Sequence, residues 1–210
     1  MNTILNKLNW RYATKNFDSS KQVSTEDLNT LLEAGRLTAS SYGLQPYEIY
    51  VIKNEEVRKE LRKASYDQPQ ITDASCIIVL ANKPTFDDSM IDDYIANIMK
   101  VRGLSKEDLE GFSKTMKSTL LDLPDAYKGA WTSNQAYIVL GNLMTIAAEM
   151  EIDTCPMEGF DKEQYNEILG LTNKGLNAAV VLAVGYRSSE DATQHYPKVR
   201  YPEEQIITHI

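Results

Sequence analysis

SCIIVLANK (residues 75–83) and NAAVVLAVGYR (residues 177–187) decide the fold of this chain. Both are runs of strand length in which β-branched and small apolar residues follow one another without polar alternation. A strand with one wet face alternates, whereas an unbroken run suits a central strand covered on both faces, so helices must pack on either side of the sheet.

The flanking sequence supplies those helices and a further strand. LTASSYGLQPYEIYVIK holds a small-residue loop ending at Pro46, then a strand over about residues 47–52. Pro46 suits a strand entry because its missing N–H is not needed there. Ser24 with Asp27 three residues later reads as a helix cap, followed by Leu28, Leu31 and Leu32 at helical spacing. A second helix starts after Asn54, with Val57, Leu61 and Ala64 on one face. Residues 87–123 are helical in pattern but rich in charge, with weak breaks at Gly103 and Gly111, and read as a mobile helical excursion. Residues 131–150 carry the widest apolar face, through Ala136, Val139, Leu140, Leu143, Ile146 and Ala147; that width predicts a central helix buried on more than one side. Asp161 and Gln164 cap a short helix ending near Gly170. From about residue 188 the chain shows neither period, and such a tail frays unless another surface holds it. With no internal repeat and no low-complexity linker, a single α+β domain over residues 1–210 is the economical reading.

Composition narrows the function classes. The chain has 210 residues and a formal net charge of -8, so nucleic acid and anionic membrane are poor partners for its surface. No apolar stretch reaches the ~20 residues that span a bilayer. The opening MNTILNKLNWRYATKNF lacks the apolar core and cleavage site of a signal peptide. Two cysteines, Cys76 and Cys155, make no disulfide framework, and Cys155 reads as a small buried residue. With only His195 and His209, both a transition-metal site and a His-based nucleophile machine lack candidates. The expectation is a soluble, cytoplasmic, metal-free protein.

Against the acidic background stand two basic pairs, Arg11 with Lys15 and Lys198 with Arg200. Arginine forks onto two phosphate oxygens and lysine supplies a compact charge, so together they suit a small anion. From spacing alone, scattered solubilising charges explain them equally well. The surrounding segments shift that balance: RYATKNFD (residues 11–18), TASSYGLQP (38–46), CPMEGF (155–160) and YPKVRYP (196–202). In this order they resemble the nitroreductase family, flavin mononucleotide (FMN) enzymes that use NADH or NADPH, over about residues 11–202.

The resemblance implies a nitroreductase-like fold: a central mixed β-sheet flanked by helices, in an intertwined homodimer whose tails (about residues 188–210) wrap the partner. It further implies that Arg11, with Tyr12 and Ala13 in the same cradle, holds the FMN phosphate while Lys15 approaches the pyrimidine edge of the flavin. Lys198 and Arg200 close on that phosphate. Ala39, Ser40, Ser41 and Gly43 belong to a loop that reaches the flavin across the dimer interface; asparagine is common where this chain has Gly43. Asp67 and Gln70 fall where polar groups contact the pyrimidine ring, with asparagine usual at Asp67 and a lysine in some members at Gln70. Pro156, Met157, Glu158 and Gly159 pack along the flavin face and its N5 edge, Glu158 acting through its backbone amide rather than as an acid. Gln135 reaches towards the partner's cofactor. The excursion at 87–123 becomes a variable lid with Phe112 as its candidate aromatic. The implied reaction is ping-pong: hydride from NAD(P)H to flavin N5, then two electrons to a quinone or nitroaromatic in the same cleft. Reductive dehalogenation, flavin consumption, and flavin binding without turnover remain as alternatives on the same fold.

Overall fold

The sheet is built around the two apolar runs. In the computed structural model, which describes residues 3–210, β2 (Cys76–Asn82) and β4 (Asn177–Gly185) lie side by side in the middle. β1 (Tyr47–Ile52) borders β2 and β3 (Asp153–Met157) borders β4, giving the order β1-β2-β4-β3. Every residue of β2 is buried, and its alternate side chains enter two different cores. Ile77, Val79 and Ala81 face Leu61, Ile71, Phe160 and Tyr165 on one side. Cys76, Ile78 and Leu80 face Leu28, Leu31, Val139 and Leu143 on the other. Burial of both faces explains why the run shows no alternation.

All named strand pairs are antiparallel, Val79 standing opposite Val181 and Pro156 opposite Leu182. The parallel component of the expected mixed sheet is confined, among the described residues, to an isolated bridge between Ala13 and Thr154. β3 escapes a sequence reading because it opens on buried polar residues, Asp153 and Thr154, and contains Pro156. Proline is tolerated because β3 is an edge strand.

The helices obey their caps. Ser24 accepts from the Asp27 amide to start α2 (Thr25–Arg36), and Asn54 accepts from Val57 to start α3 (Glu55–Lys63). A short turn, α4 (Gln70–Asp73), precedes β2. The excursion resolves into α5 (Asp88–Arg102) and α6 (Lys106–Leu120). Gly103 takes a left-handed conformation (φ 69°) and ends α5, as a helix C-terminus favours. Gly111 breaks nothing: it sits inside α6, where one glycine costs about 1 kcal/mol against alanine and neighbouring packing covers the cost. This pair has its own core of Ile91, Ile95, Leu109 and Met116, distinct from the two sheet cores.

α7 begins earlier than its apolar face suggests, at Asp125, and runs to Glu149 across the sheet. Its buried side carries Ala136, Val139, Leu143 and Ala147, while Ile138 remains 48 % exposed. α8 (Lys162–Ile168) starts at the Asp161 cap, whose carboxylate accepts from the Gln164 amide and side chain. Two helices appear where the sequence showed no period: α1 (Thr3–Trp10), whose residues are all outside the core, and the single turn α9 (Glu203–Ile206) in the tail. Among the described residues no helix is long and apolar enough to cross a membrane.

Candidate functional site

The opening basic segment is held against the ends of β3 and β4. Ala13 bridges Thr154, Phe17 bridges Arg187, and the Ser188 amide donates to the Asn16 carbonyl. Gly185 makes this approach possible: a Cβ there would come within 2.9 Å of Phe17 and of the Ser75 backbone nitrogen. Two buried carboxylates fix the segment further. Asp153 binds Arg187 at 2.6 Å, and the guanidinium lies 4.2 Å from the centre of the Trp10 ring and 4.6 Å from that of Tyr12. Asp191, near the head of the tail, accepts from the Tyr12 hydroxyl at 3.0 Å and the Lys15 amide at 2.8 Å. Burial and this carboxylate both push the Tyr12 phenol well above its usual pKa.

So placed, Arg11, Tyr12 and Ala13 meet Lys198 and Arg200 around a cavity of about 320 Å³, closed on the tail side by Thr193, Gln194 and Tyr196. The cations crowd one another. Burial and then Arg200 hold Arg11 below its ordinary pKa; burial, Arg11 and Arg200 do the same to Lys198. The Lys198 ammonium donates to the carbonyls of Leu8 and Arg11, capping the end of α1. Arg11 Nε is buried with no hydrogen-bond partner. A buried donor without an acceptor, among like charges, has the chemistry of an anion site.

A second group of polar residues lies beside the first. The Cys155 thiol, pushed up by burial, is within electrostatic reach of Lys15, Arg11 and Asp191 and lies against the Gln70 amide. Gln70 is 5 % exposed and its Oε1 has no partner. Arg11, Lys15, Gln70 and Pro156 are therefore gathered around Cys155. Beyond it, Glu158 and Gly159 are exposed; the Gly159 carbonyl accepts from Gln68 at 2.8 Å, and Glu158 accepts from the Tyr137 hydroxyl. Burial first, then Glu158, raises the Tyr137 phenol to about 12.

The remaining expected residues stand apart within this chain. Ser40 accepts from the Gln45 amide at 3.1 Å, and Ser41 donates its amide to Gln135 Oε1 at 2.8 Å. Gln135 is buried and donates its amide nitrogen to the Trp131 carbonyl, so both its ends hold the 38–46 loop and α7. Ala39 is exposed beside them, and Phe112 meets Tyr42 with ring centres 6.2 Å apart. Asp67 is exposed, with its carboxylate on Arg62 at 2.8 Å. Among the described residues, four of the five non-glycine residues with positive φ are Tyr42, Gln45, Tyr66 and Asp67, all in these two loops. Strain of this kind concentrates where a loop is shaped for a ligand.

The nitroreductase family profile matches residues 8–186. The chain belongs to the nitroreductase family. A Staphylococcus haemolyticus protein provisionally named an NAD(P)H nitroreductase is 38 % identical, over 98 % of this chain and 96 % of its own length. The major NAD(P)H-flavin oxidoreductase of Aliivibrio fischeri is 35 % identical, over 98 % of this chain and 97 % of its own. Among solved structures, a Bacillus subtilis protein superposes with a TM-score of 0.88 at 21 % identity, covering 98 % of each chain. One from Exiguobacterium sibiricum, solved in complex with FMN, superposes with a TM-score of 0.82 at 22 % identity, over 100 % of this chain and 98 % of that one. These two likenesses are likenesses of fold.

Within this nitroreductase-family chain, Asp191, Asp153, Arg187 and Tyr137 escaped the sequence reading. Asp191 is anchored mostly to backbone amides, which leave no mark in a sequence; only the Asp-x-Thr pattern, in which Asp191 also accepts from the Thr193 amide, could have flagged it as a turn cap.

Proposed function

We propose that the protein is an FMN-dependent oxidoreductase that passes electrons from NAD(P)H to electron-poor acceptors such as nitroaromatics and quinones. The observation that carries this reading is the buried, partnerless Arg11 Nε on a residue that lines one cavity with Lys198 and Arg200. These three cations would hold the phosphate, and three positive charges suit a group of about −2. When bound, FMN supplies two-electron transfer between the nicotinamide and the acceptor.

The chain's own residues do the rest. Gln70, buried with a free carbonyl oxygen, would accept from a ring N–H, and Lys15 would place positive charge near the polar edge of the ring. The exposed 158–159 turn, braced by Gln68 and Tyr137, would present its backbone amides to the opposite edge. Tyr137, held protonated, supplies no negative charge there.

The site also calls for a homodimer. The Ser40–Ser41–Gly43 loop lies outside both clusters around Arg11 and Cys155, and a second copy can bring it to them. Ile138 on α7 and Leu37, just past the end of α2, are exposed apolar groups that pairing would cover.

The test is the visible spectrum of the purified protein before and after anaerobic addition of NADH and then NADPH. Flavin bands that bleach with either nucleotide support the reading and identify the donor. A flavin that stays oxidised points to binding without turnover. Absence of flavin after incubation with FMN removes the proposal.

A further inference from the structure

Asp191 is 1 % exposed, yet it is aimed at the segment that carries Arg11 and Lys15. Its Oδ2 accepts from three donors: the Tyr12 hydroxyl at 3.0 Å, the Lys15 amide at 2.8 Å and the Asn16 amide at 3.1 Å. Its Oδ1 accepts from the Thr193 amide at 3.0 Å, which turns the chain into the tail. The tail answers seven residues later, where the Lys198 ammonium donates to the carbonyls of Leu8 and Arg11. A carboxylate reaching amides and an ammonium reaching carbonyls thus fasten the two ends of the chain on either side of Arg11.

Electrostatics alone would not place a carboxylate here. Asp191 is close enough to act on the Cys155 thiol together with Lys15 and Arg11, so its charge opposes the anion affinity of the same cluster. Burial favours its neutral form, and the amides of Asn16, Lys15 and Thr193 overcome that preference to keep it ionised. A group that weakens the local field and is still held charged by several donors has a geometric use.

We propose that Asp191 is a positioning residue: it locks residues 12–16 to the head of the tail so that Arg11, Lys198 and Arg200 converge on one phosphate monoester. The inference rests on the reading of this cavity as a flavin phosphate site. An asparagine side chain at this position could offer only one oxygen to two sets of donors and would turn an N–H towards the other set. Asp191→Asn therefore loosens the clasp with little change in volume.

The experiment uses the full-length, flavin-stripped protein and its Asp191→Asn variant. FMN and riboflavin, which lacks the phosphate, are titrated by fluorescence quenching, and amide exchange is followed at Lys15 and Asn16. The expected result is that the variant binds FMN about tenfold or more weakly, the size of one lost charge-assisted hydrogen bond, with riboflavin binding unchanged. Lys15 and Asn16 exchange faster while amides of β2 and β4 keep their protection. Unchanged or tighter FMN binding would show that Asp191 acts through charge or not at all, and would overturn the proposal. Equal loss of both flavins with loss of protection in β2 and β4 would make it a general support of the fold, which also overturns it.

If Asp191→Asn does not fold, Tyr12→Phe removes one of the three donors and should give a smaller loss, again for FMN and not riboflavin. If the wild-type protein binds neither flavin, it is the proposed function that fails. Saturating inorganic phosphate then becomes the probe: slower Lys15 and Asn16 exchange in wild type but not in Asp191→Asn upholds the clasp, and no difference overturns it.

Discussion

Arg11 stands in a position that costs stability unless something negative occupies the cavity. Its Nε is buried without a partner, and Arg200 and Lys198 press on it from the tail. Removing the charge should therefore separate binding from stability. Arg11→Gln is expected to lower FMN affinity by about 1.5–3 kcal/mol, the range for a hydrogen bond to a charged group. The flavin-free protein should melt no lower than wild type, because a repulsion is relieved. A melting point lowered as much as binding would make Arg11 a structural residue. The sign at Lys198 agrees: its folded pKa is depressed, so its charged form destabilises the fold in full below that pKa, and the penalty shrinks as pH rises from there and is gone only above the ordinary lysine value. Inorganic phosphate at pH 7 should raise the melting temperature of flavin-free protein above that in chloride of equal ionic strength; equal melting in the two salts would speak against an anion site. Asp191 has the opposite sign. Its pKa is depressed, so its contribution is present above the unfolded value of about 4 and disappears as pH falls through the folded value. The clasp should thus be insensitive to pH between about 5 and 8, so any change in FMN affinity over that range has another origin. Gln70 supplies a test at the ring. If Gln70 borders the flavin ring as proposed, Gln70→Lys puts a cation beside its edge and should raise the bound midpoint potential by at least about 30 mV, equivalent to 1.4 kcal/mol for two electrons; no rise would remove Gln70 from that role.

At the scale of elements, the 38–46 loop is where backbone and ligand requirements meet. Gly43 sits at φ 81°, and a Cβ there would collide with the Tyr94 hydroxyl on α5. Gly43→Ala should cost about 1–2 kcal/mol for the left-handed conformation, plus whatever the displaced tyrosine adds. Tyr94→Phe in the same chain should return the second part and not the first. Urea unfolding of the two single variants and the double variant would show this, and strict additivity would mean that loop and lid are not in contact. The elements differ in how far they can be read from sequence, for physical reasons. β2 and β4 were legible because burial on both faces leaves an unbroken apolar run, and α2, α3 and α8 because each carries a side-chain cap. α1 was not, since its residues lie outside the core and impose no apolar period. β3 was not, since Asp153 serves Arg187 rather than a hydrophobic face. Gly111 misled because glycine propensity is a weak effect beside the packing of Leu109 and Met116 in the same helix. The site followed the same division. The basic pairs and loops could be assembled only because four motifs fell in register with a family, whereas the carboxylates that aim them were invisible.

The whole molecule displays more apolar surface than its cores require. Along α7, Tyr137, Ile138 and Gly141 form an outward stripe, and a Cβ at Gly141 would meet nothing within 4 Å. Leu5 and Leu8 of α1 are exposed nearby in the fold, since α1 packs on α7. The tail adds Val199, Tyr201, Ile206 and Ile207, with Val199 83 % exposed. Single exposed apolar groups are ordinary, but residues from three elements on one molecule point to a covered surface. Burying one such side chain is worth about 1.5–3 kcal/mol, so a handful of them suffices for a stable pair. Ile138→Glu places a charge in the middle of the stripe, where pairing would leave it buried and unpartnered at a cost of several kcal/mol. Sedimentation should show the wild-type chain as a dimer and this variant as a monomer. If the loop around Ser40 and Ser41 serves the partner's site, the monomer should also bind FMN far more weakly than wild type, although Arg11, Lys198 and Arg200 are untouched. A monomer that binds FMN as tightly as the wild-type dimer would confine the site to one chain. A variant that stays dimeric would move the interface off α7 and on to the tail, where Tyr201→Glu asks the same question.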